Sequence, residues 1–111
     1  MEDFKDVKIE IYIPEEYVEH LREALHAANI GRVGYYDHCL SISKVRGYWR
    51  PLEGARPFVG RVGVFEEGQE CKVEIRCDRC YVAAALKAVR KIHPYEEPLI
   101  NVIPLANALF E

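Results

Sequence analysis

The sequence has little that would carry it across a membrane or onto nucleic acid. No apolar run approaches the ~18 residues of a membrane span. The opening Met-Glu-Asp-Phe-Lys-Asp is acidic and lacks the apolar core of a signal peptide, so a soluble, cytoplasmic protein with no membrane partner is expected. There is no P-loop glycine pattern and no aromatic RNP string. A net charge of -3 and a pI near 5.8 argue further against general nucleic-acid binding. Four cysteines lie at positions 39, 71, 77 and 80, and without export free thiols are the default. Cys71 and Cys77 fall in phase with Val73 and Ile75, which points to core packing.

What is present suits one domain over residues 1–111. Half the residues are hydrophobic and 30% are charged, a globular composition. Area scaling gives a folded surface of roughly 6,300 Å² against about 18,600 Å² unfolded, so a core is feasible without staples. Charge is uneven. Residues 1–31 hold eight acids and three bases, residues 32–61 six bases and two acids, and residues 62–111 eight acids and six bases. The middle segment alone is basic, which reads either as a solvated face or as an anion-binding patch.

An internal repeat sets the architecture. KIEIYIPEEYVEHLREALHAA (8–28) and KVEIRCDRCYVAAALKAVRKI (72–92) match at Lys8/Lys72, Glu10/Glu74, Ile11/Ile75, Tyr17/Tyr81, Val18/Val82 and Ala24/Ala88. Each copy alternates like a strand and then turns to helical spacing. Val7, Ile9, Ile11 and Ile13 share one strand face, and Val18, Leu21, Leu25 and Ala28 form a helical stripe. In the second copy Asp78 is the expected N-cap, and Pro94 stops the helix. Residues 34–43 alternate and read as a strand, as do 99–105. The expected fold is α+β, a ferredoxin-like βαββαβ sandwich with two helices on one face of an antiparallel sheet. Residues 44–70 are expected to form a long loop or projecting hairpin. The uncovered face, with Tyr12 and Tyr35 placed on it, predicts an oligomer.

At this point YYDHCLSIS (35–43), GYWRPLEGARPFVGRVG (47–63) and HPYEEP (93–98) resemble a known module. It is the PII-like inserted domain of the dinuclear-metal-centre hexameric proteins related to NGG-one-interacting factor three, which also occurs in stand-alone form. The likeness runs from about Val7 to Leu105. It implies a fold like that of PII signalling and CutA divalent-cation tolerance proteins, which are typically trimers. The parent's dinuclear metal centre lies in the flanking domain, so neither it nor the parent's hydrolase labels transfer. The chain departs from the family pattern at Cys77-Asp78-Arg79-Cys80, where the family generally has a proline and ordinary polar residues.

Several residue groups carry candidate chemistry. The His93-Pro94-Tyr95-Glu96-Glu97-Pro98 turn is held by two prolines. It reads as a rigid connector, with His93 against the helix's negative end and the glutamates paired to a neighbouring subunit. Alternatively, its imidazole and carboxylates bind a divalent metal ion or a ligand. Cys39, His93, Glu96 and Glu97 form the candidate metal set. Asp37-His38-Cys39 looks like a metal cluster, but strand alternation sends His38 to the face opposite Asp37 and Cys39. Cys77 and Cys80 form a CxxC at a helix start, where the helix end and Arg79 could lower a thiol pKa for redox work. The basic segment interleaves Arg50 and Arg56 with aromatics around Glu53 and could hold a small anionic metabolite, or meet the acidic first helix of another subunit. The candidate ligand set is Arg50, Glu53, Arg56, His93, Tyr95, Glu96 and Glu97. No nucleophile–base–orienter set can be assembled from spacing. The expectation is a non-catalytic homotrimeric binding or regulatory module, with metal tolerance and thiol redox as alternatives.

Overall fold

The computed structural model describes residues 3–111; Met1 and Glu2 of the acidic start lie outside the described residues. Along the chain run β1 (Asp6–Ile13), α1 (Val18–Ala27), β2 (Ser41–Trp49), β3 (Glu66–Asp78), α2 (Val82–Ile92) and β4 (Ile100–Pro104). A single 3-10 turn precedes each helix, at Glu15–Tyr17 and Arg79–Tyr81. The strand-to-helix passage is thus duplicated in the same register as the sequence repeat. The sheet order is β2-β3-β1-β4, antiparallel at every pairing, which is the expected ferredoxin-like sandwich.

Alternation in the two central strands decides which face is buried. Val7, Ile9, Ile11 and Ile13 on β1 lie opposite Cys77, Ile75, Val73 and Cys71 on β3. All eight are buried beneath Val18, Leu21 and Leu25 of α1 and Ala85 and Val89 of α2. Each large side chain removed from water contributes roughly 1.5–3 kcal/mol. At the second junction the Asp78 carboxylate accepts the Cys80 N–H at 2.9 Å, as the expected cap.

The other face is charged. Lys8 sits 2.8 Å from Glu74 and 3.3 Å from Glu10, and Lys72 sits 4.0 Å from Glu74 and 3.8 Å from Glu10. These partners hold the Lys8 ammonium pKa up, and Lys8 holds the Glu74 carboxyl down. The sheet's centre therefore neutralises itself rather than offering a bare apolar plane. Tyr12 shares this face with Lys72 and Glu10, but Tyr35 does not belong to the sheet.

One boundary changes, and one alternative is decided. The strand read at 34–43 begins only at Ser41. Before it, Val33 and Tyr36 exchange backbone hydrogen bonds of 2.8 and 3.0 Å across a tight turn, and Gly34 and His38 take left-handed φ of 59° and 54°. The backbone reverses where the side-chain pattern merely alternates, so Tyr35 is fully exposed at the bend. The 44–70 segment is a hairpin, its paired arms ending at Trp49↔Glu66 with a loop over 50–65. The molecule measures 48 × 29 × 22 Å, with a radius of gyration of 15.4 Å against about 13 Å for a compact chain of this length. It exposes 7717 Å², well above the roughly 6,300 Å² expected. Among the described residues no helix is long and apolar enough to cross a membrane.

Leu21 is fully buried against the sheet, so Leu21→Ala should cost about 2–5 kcal/mol in urea unfolding. Leu109→Ala, at a 58% exposed position, should change stability by no more than about 0.5 kcal/mol.

Candidate functional site

His93 is the one buried polar residue among the described side chains. It follows α2 with extended backbone, its own N–H closing the helix on Val89 O at 2.9 Å. Its side chain does not serve the helix end. Nε2 lies 2.6 Å from the Tyr12 carbonyl, and the Tyr95 N–H donates to Nδ1 at 3.1 Å. A carbonyl accepts and an amide donates, so the ring must be the neutral Nε2–H tautomer. Burial pushes its pKa below the ordinary value, against a smaller opposing effect of the Tyr12 carbonyl. With both nitrogens engaged, His93 has no lone pair for a metal and no free site for general-base work.

This clamp fixes the HPYEEP turn to the end of β1 and with it one wall of a cleft. The Tyr95 ring packs 4.8 Å from His93 and 6.1 Å from Phe58, which makes an edge contact with Tyr17 at 6.0 Å. Tyr95 Oη donates to Glu70 at 3.1 Å, and burial with that carboxylate pushes the phenol pKa well up. The facing wall is the hairpin loop. Trp49 Nε1 donates to Val59 O at 3.1 Å, pinning the loop onto the strand. Gly60 makes this approach feasible: it has φ 107°, and a Cβ there would sit 2.9 Å from Glu66 Cγ and 3.2 Å from Trp49 Nε1. The Arg56 N–H donates to Glu96 at 2.9 Å, joining the two walls. Between them lies a cleft of about 500 Å³, within the usual range for small-molecule sites.

Of the sequence candidates, Arg50, Tyr95, Glu96 and Glu97 line this cleft, while Glu53, Arg56 and His93 do not. Tyr48 and Trp49, two of the aromatics interleaved with the arginines, also line it, whereas Tyr12 and Glu70 escaped sequence reasoning and add a ring and a carboxylate from strand positions. Strand alternation places Tyr12, Trp49 and Glu70 on the outer face, a signal that was available once the register was known. The lining holds one guanidinium and three carboxylates, so within one chain it does not favour the small anionic metabolite expected from the arginine-rich segment.

The candidate metal set does not converge. Among the described residues, the only group of three metal-ligating side chains with ligand atoms within 4.8 Å is His26, Asp37 and His38, all exposed. Cys39, His93, Glu96 and Glu97 form no such group. Nor does the CxxC meet the redox expectation. Burial pushes the Cys77 thiol up to about 11, and the hydrogen bond with Asp78 raises that of Cys80. The capping carboxylate that accepts the Cys80 N–H opposes the positive helix end, so that end does not activate the Cys80 thiol.

The sheet order and the paired helices define a CutA-like chain of the ferredoxin-like α+β class. The periplasmic divalent cation tolerance protein CutA from Archaeoglobus fulgidus superposes with a TM-score of 0.68 over 90% of this chain and 83% of that one, at 20% identity. The fold alone is shared at that level. No protein-family model matches the sequence. A Bacillus subtilis (strain 168) protein named GTP cyclohydrolase 1 type 2 homolog is 39% identical over 98 residues, which cover 88% of this chain and 26% of that protein. Its namesake in Halalkalibacterium halodurans is 37% identical over 100 residues, covering 90% and 27%. The crystal structure of a Bacillus cereus protein related to NIF3 superposes with a TM-score of 0.80 at 30% identity, over 92% of this chain and 26% of that one. The chain spans about a quarter of the length of the curated relatives it matches. It is a relative of one segment of the NIF3-related proteins, as its RPLEGARPFVG and HPYEEP strings implied, and it has the CutA-like fold.

The His93 clamp has a pH signature. Its pKa is lowered from an ordinary 6.5, so on acidification the unfolded chain takes up this proton first. The stability present above that value is therefore lost as pH falls through it toward the lowered folded pKa. Melting temperature should fall between about pH 7.5 and about pH 5.5, and His93→Gln should remove this part of the fall. At neutral pH the same variant should be destabilised by about 1–3 kcal/mol, because buried partners lose their hydrogen bonds. In thiol titration of the native protein, Cys71 and Cys77 should stay unreactive until unfolding, since both are buried.

Proposed function

We propose that this chain acts as a non-catalytic binding or regulatory module, a single PII-like domain that assembles as a cytoplasmic homotrimer. The observation that carries the reading is the cleft between the hairpin loop and the HPYEEP turn, whose walls are held by hydrogen bonds that core packing does not require. Its lining favours a small planar ligand. Tyr12, Tyr48, Trp49 and Phe58 offer ring faces and edges, and the glutamates accept hydrogen bonds from amino or ring N–H groups. A nucleobase-like compound meets these demands better than a polyanion.

Support for self-association comes from the hairpin. It carries Phe65 at 80% exposure, with Leu52, Val59 and Val62 also exposed on the same loop. Apolar residues gathered on a projecting arm are costly in isolation and suit an interface between copies. The relatives' name mentions GTP cyclohydrolase, but this chain matches only part of their length, and its cleft holds no free nucleophile–base pair.

Light scattering at micromolar concentration should give about three times the 12.8 kDa chain mass. Phe65→Asp should reduce that mass while leaving the secondary structure intact, because Phe65 packs on no core residue. A stable wild-type monomer contradicts the assembly. Guanosine and adenosine are suitable first probes for the cleft, and Trp49 fluorescence should report their binding.

A further inference from the structure

We propose that His26, Asp37 and His38 form a binding site for one divalent first-row transition-metal ion of the zinc type. The site is separate from the cleft and independent of the function proposed for it. Its ligand atoms lie within 4.8 Å of one another. Ligands sharing one zinc ion at ~2.0–2.2 Å sit about 3–3.5 Å apart, so modest rotation of exposed side chains brings them into range. Two imidazoles and one carboxylate are the donor set of three-ligand zinc sites that keep an open position for water. Imidazole nitrogen disfavours the hard cations calcium and magnesium.

The backbone prepares this grouping. His26 stands in the last turn of α1, where the helix's negative end attracts a cation. The following loop is tied at two points, by the Val33–Tyr36 pair and by the Cys39 N–H donating to Gly31 O at 2.8 Å. Between these ties lie Asp37 and His38. An extended His38 would face away from Asp37; its φ of 54° instead turns it onto the His26 ring, 3.9 Å away and 20° from parallel. A non-glycine residue rarely takes this conformation, because its Cβ crowds the following carbonyl. Both rings are exposed, so hydrophobic burial does not account for their meeting.

Isothermal titration of untagged protein with zinc chloride tests the site. The expected result is one ion per chain. His26→Gln and His38→Asn should each weaken binding at least about tenfold, by analogy with the loss on disturbing even outer ligand partners. Asparagine tolerates the left-handed backbone, so His38→Asn keeps the loop, and circular dichroism with melting in the absence of zinc verifies that both variants remain folded. A Cys39→Ser, Cys80→Ser variant removes the two thiols that are not buried and should bind zinc as the wild type does. Wild-type binding weaker than roughly millimolar overturns the proposal. So does full affinity in the His26→Gln, His38→Asn double variant, or loss of binding in the cysteine variant.

Discussion

The candidate site depends on one buried imidazole. His93 ties the carbonyl of Tyr12, at the end of the first strand, to the amide of Tyr95, in the turn before the last one. It can do so only as a neutral ring, and burial keeps it neutral. From that fixed point Tyr95 reaches Glu70 on β3 and packs against Phe58 of the hairpin loop. A histidine that sequence reasoning treats as a candidate ligand is thus a positioning residue, and its chemistry is spent in shaping the cleft wall.

Three residues of the cleft, Tyr12, Trp49 and Glu70, stand on the sheet face opposite the core. One face of β1 and β3 is closed by the helices and holds the fold together. The opposite face carries a compensated lattice of Lys8, Glu10, Lys72 and Glu74, which needs no cover to be stable in water. This shifts the argument for self-association away from the sheet's centre and onto the projecting hairpin, where the exposed apolar side chains gather. The same arm supplies Trp49 and Phe58 to the cleft, so the proposed assembly and the proposed ligand site share one structural element.

The duplicated halves were legible because strand and helix periods are written in side-chain chemistry, and Ile9/Val73 or Val18/Val82 occupy equivalent buried or half-buried places. Asp78 could be read as a cap for the same reason: its signal is local. The stretch before β2 misled because Tyr36, His38 and Leu40 alternate with polar residues, while the deciding fact is a left-handed backbone at His38. No side-chain pattern announces that conformation, and it is what brings His38 to His26. The cleft was half legible. HPYEEP announced a rigid turn through its prolines and holds one partner of His93, the Tyr95 amide, but the other, the Tyr12 carbonyl, comes from β1, some 80 positions away in sequence, and only the fold supplies it. The CxxC left buried, inert thiols and a redox pair both open, because its field depends on where the Asp78 carboxylate points.

The role of His93 is open to direct observation through the nitrogen-15 resonances of its ring at neutral pH. The account requires a protonated Nε2 with a slowly exchanging proton coupled to the Tyr12 carbonyl, and a bare Nδ1 accepting from the Tyr95 amide. A ring protonated at both nitrogens, or carrying its proton on Nδ1, would contradict it and leave the cleft without its anchor.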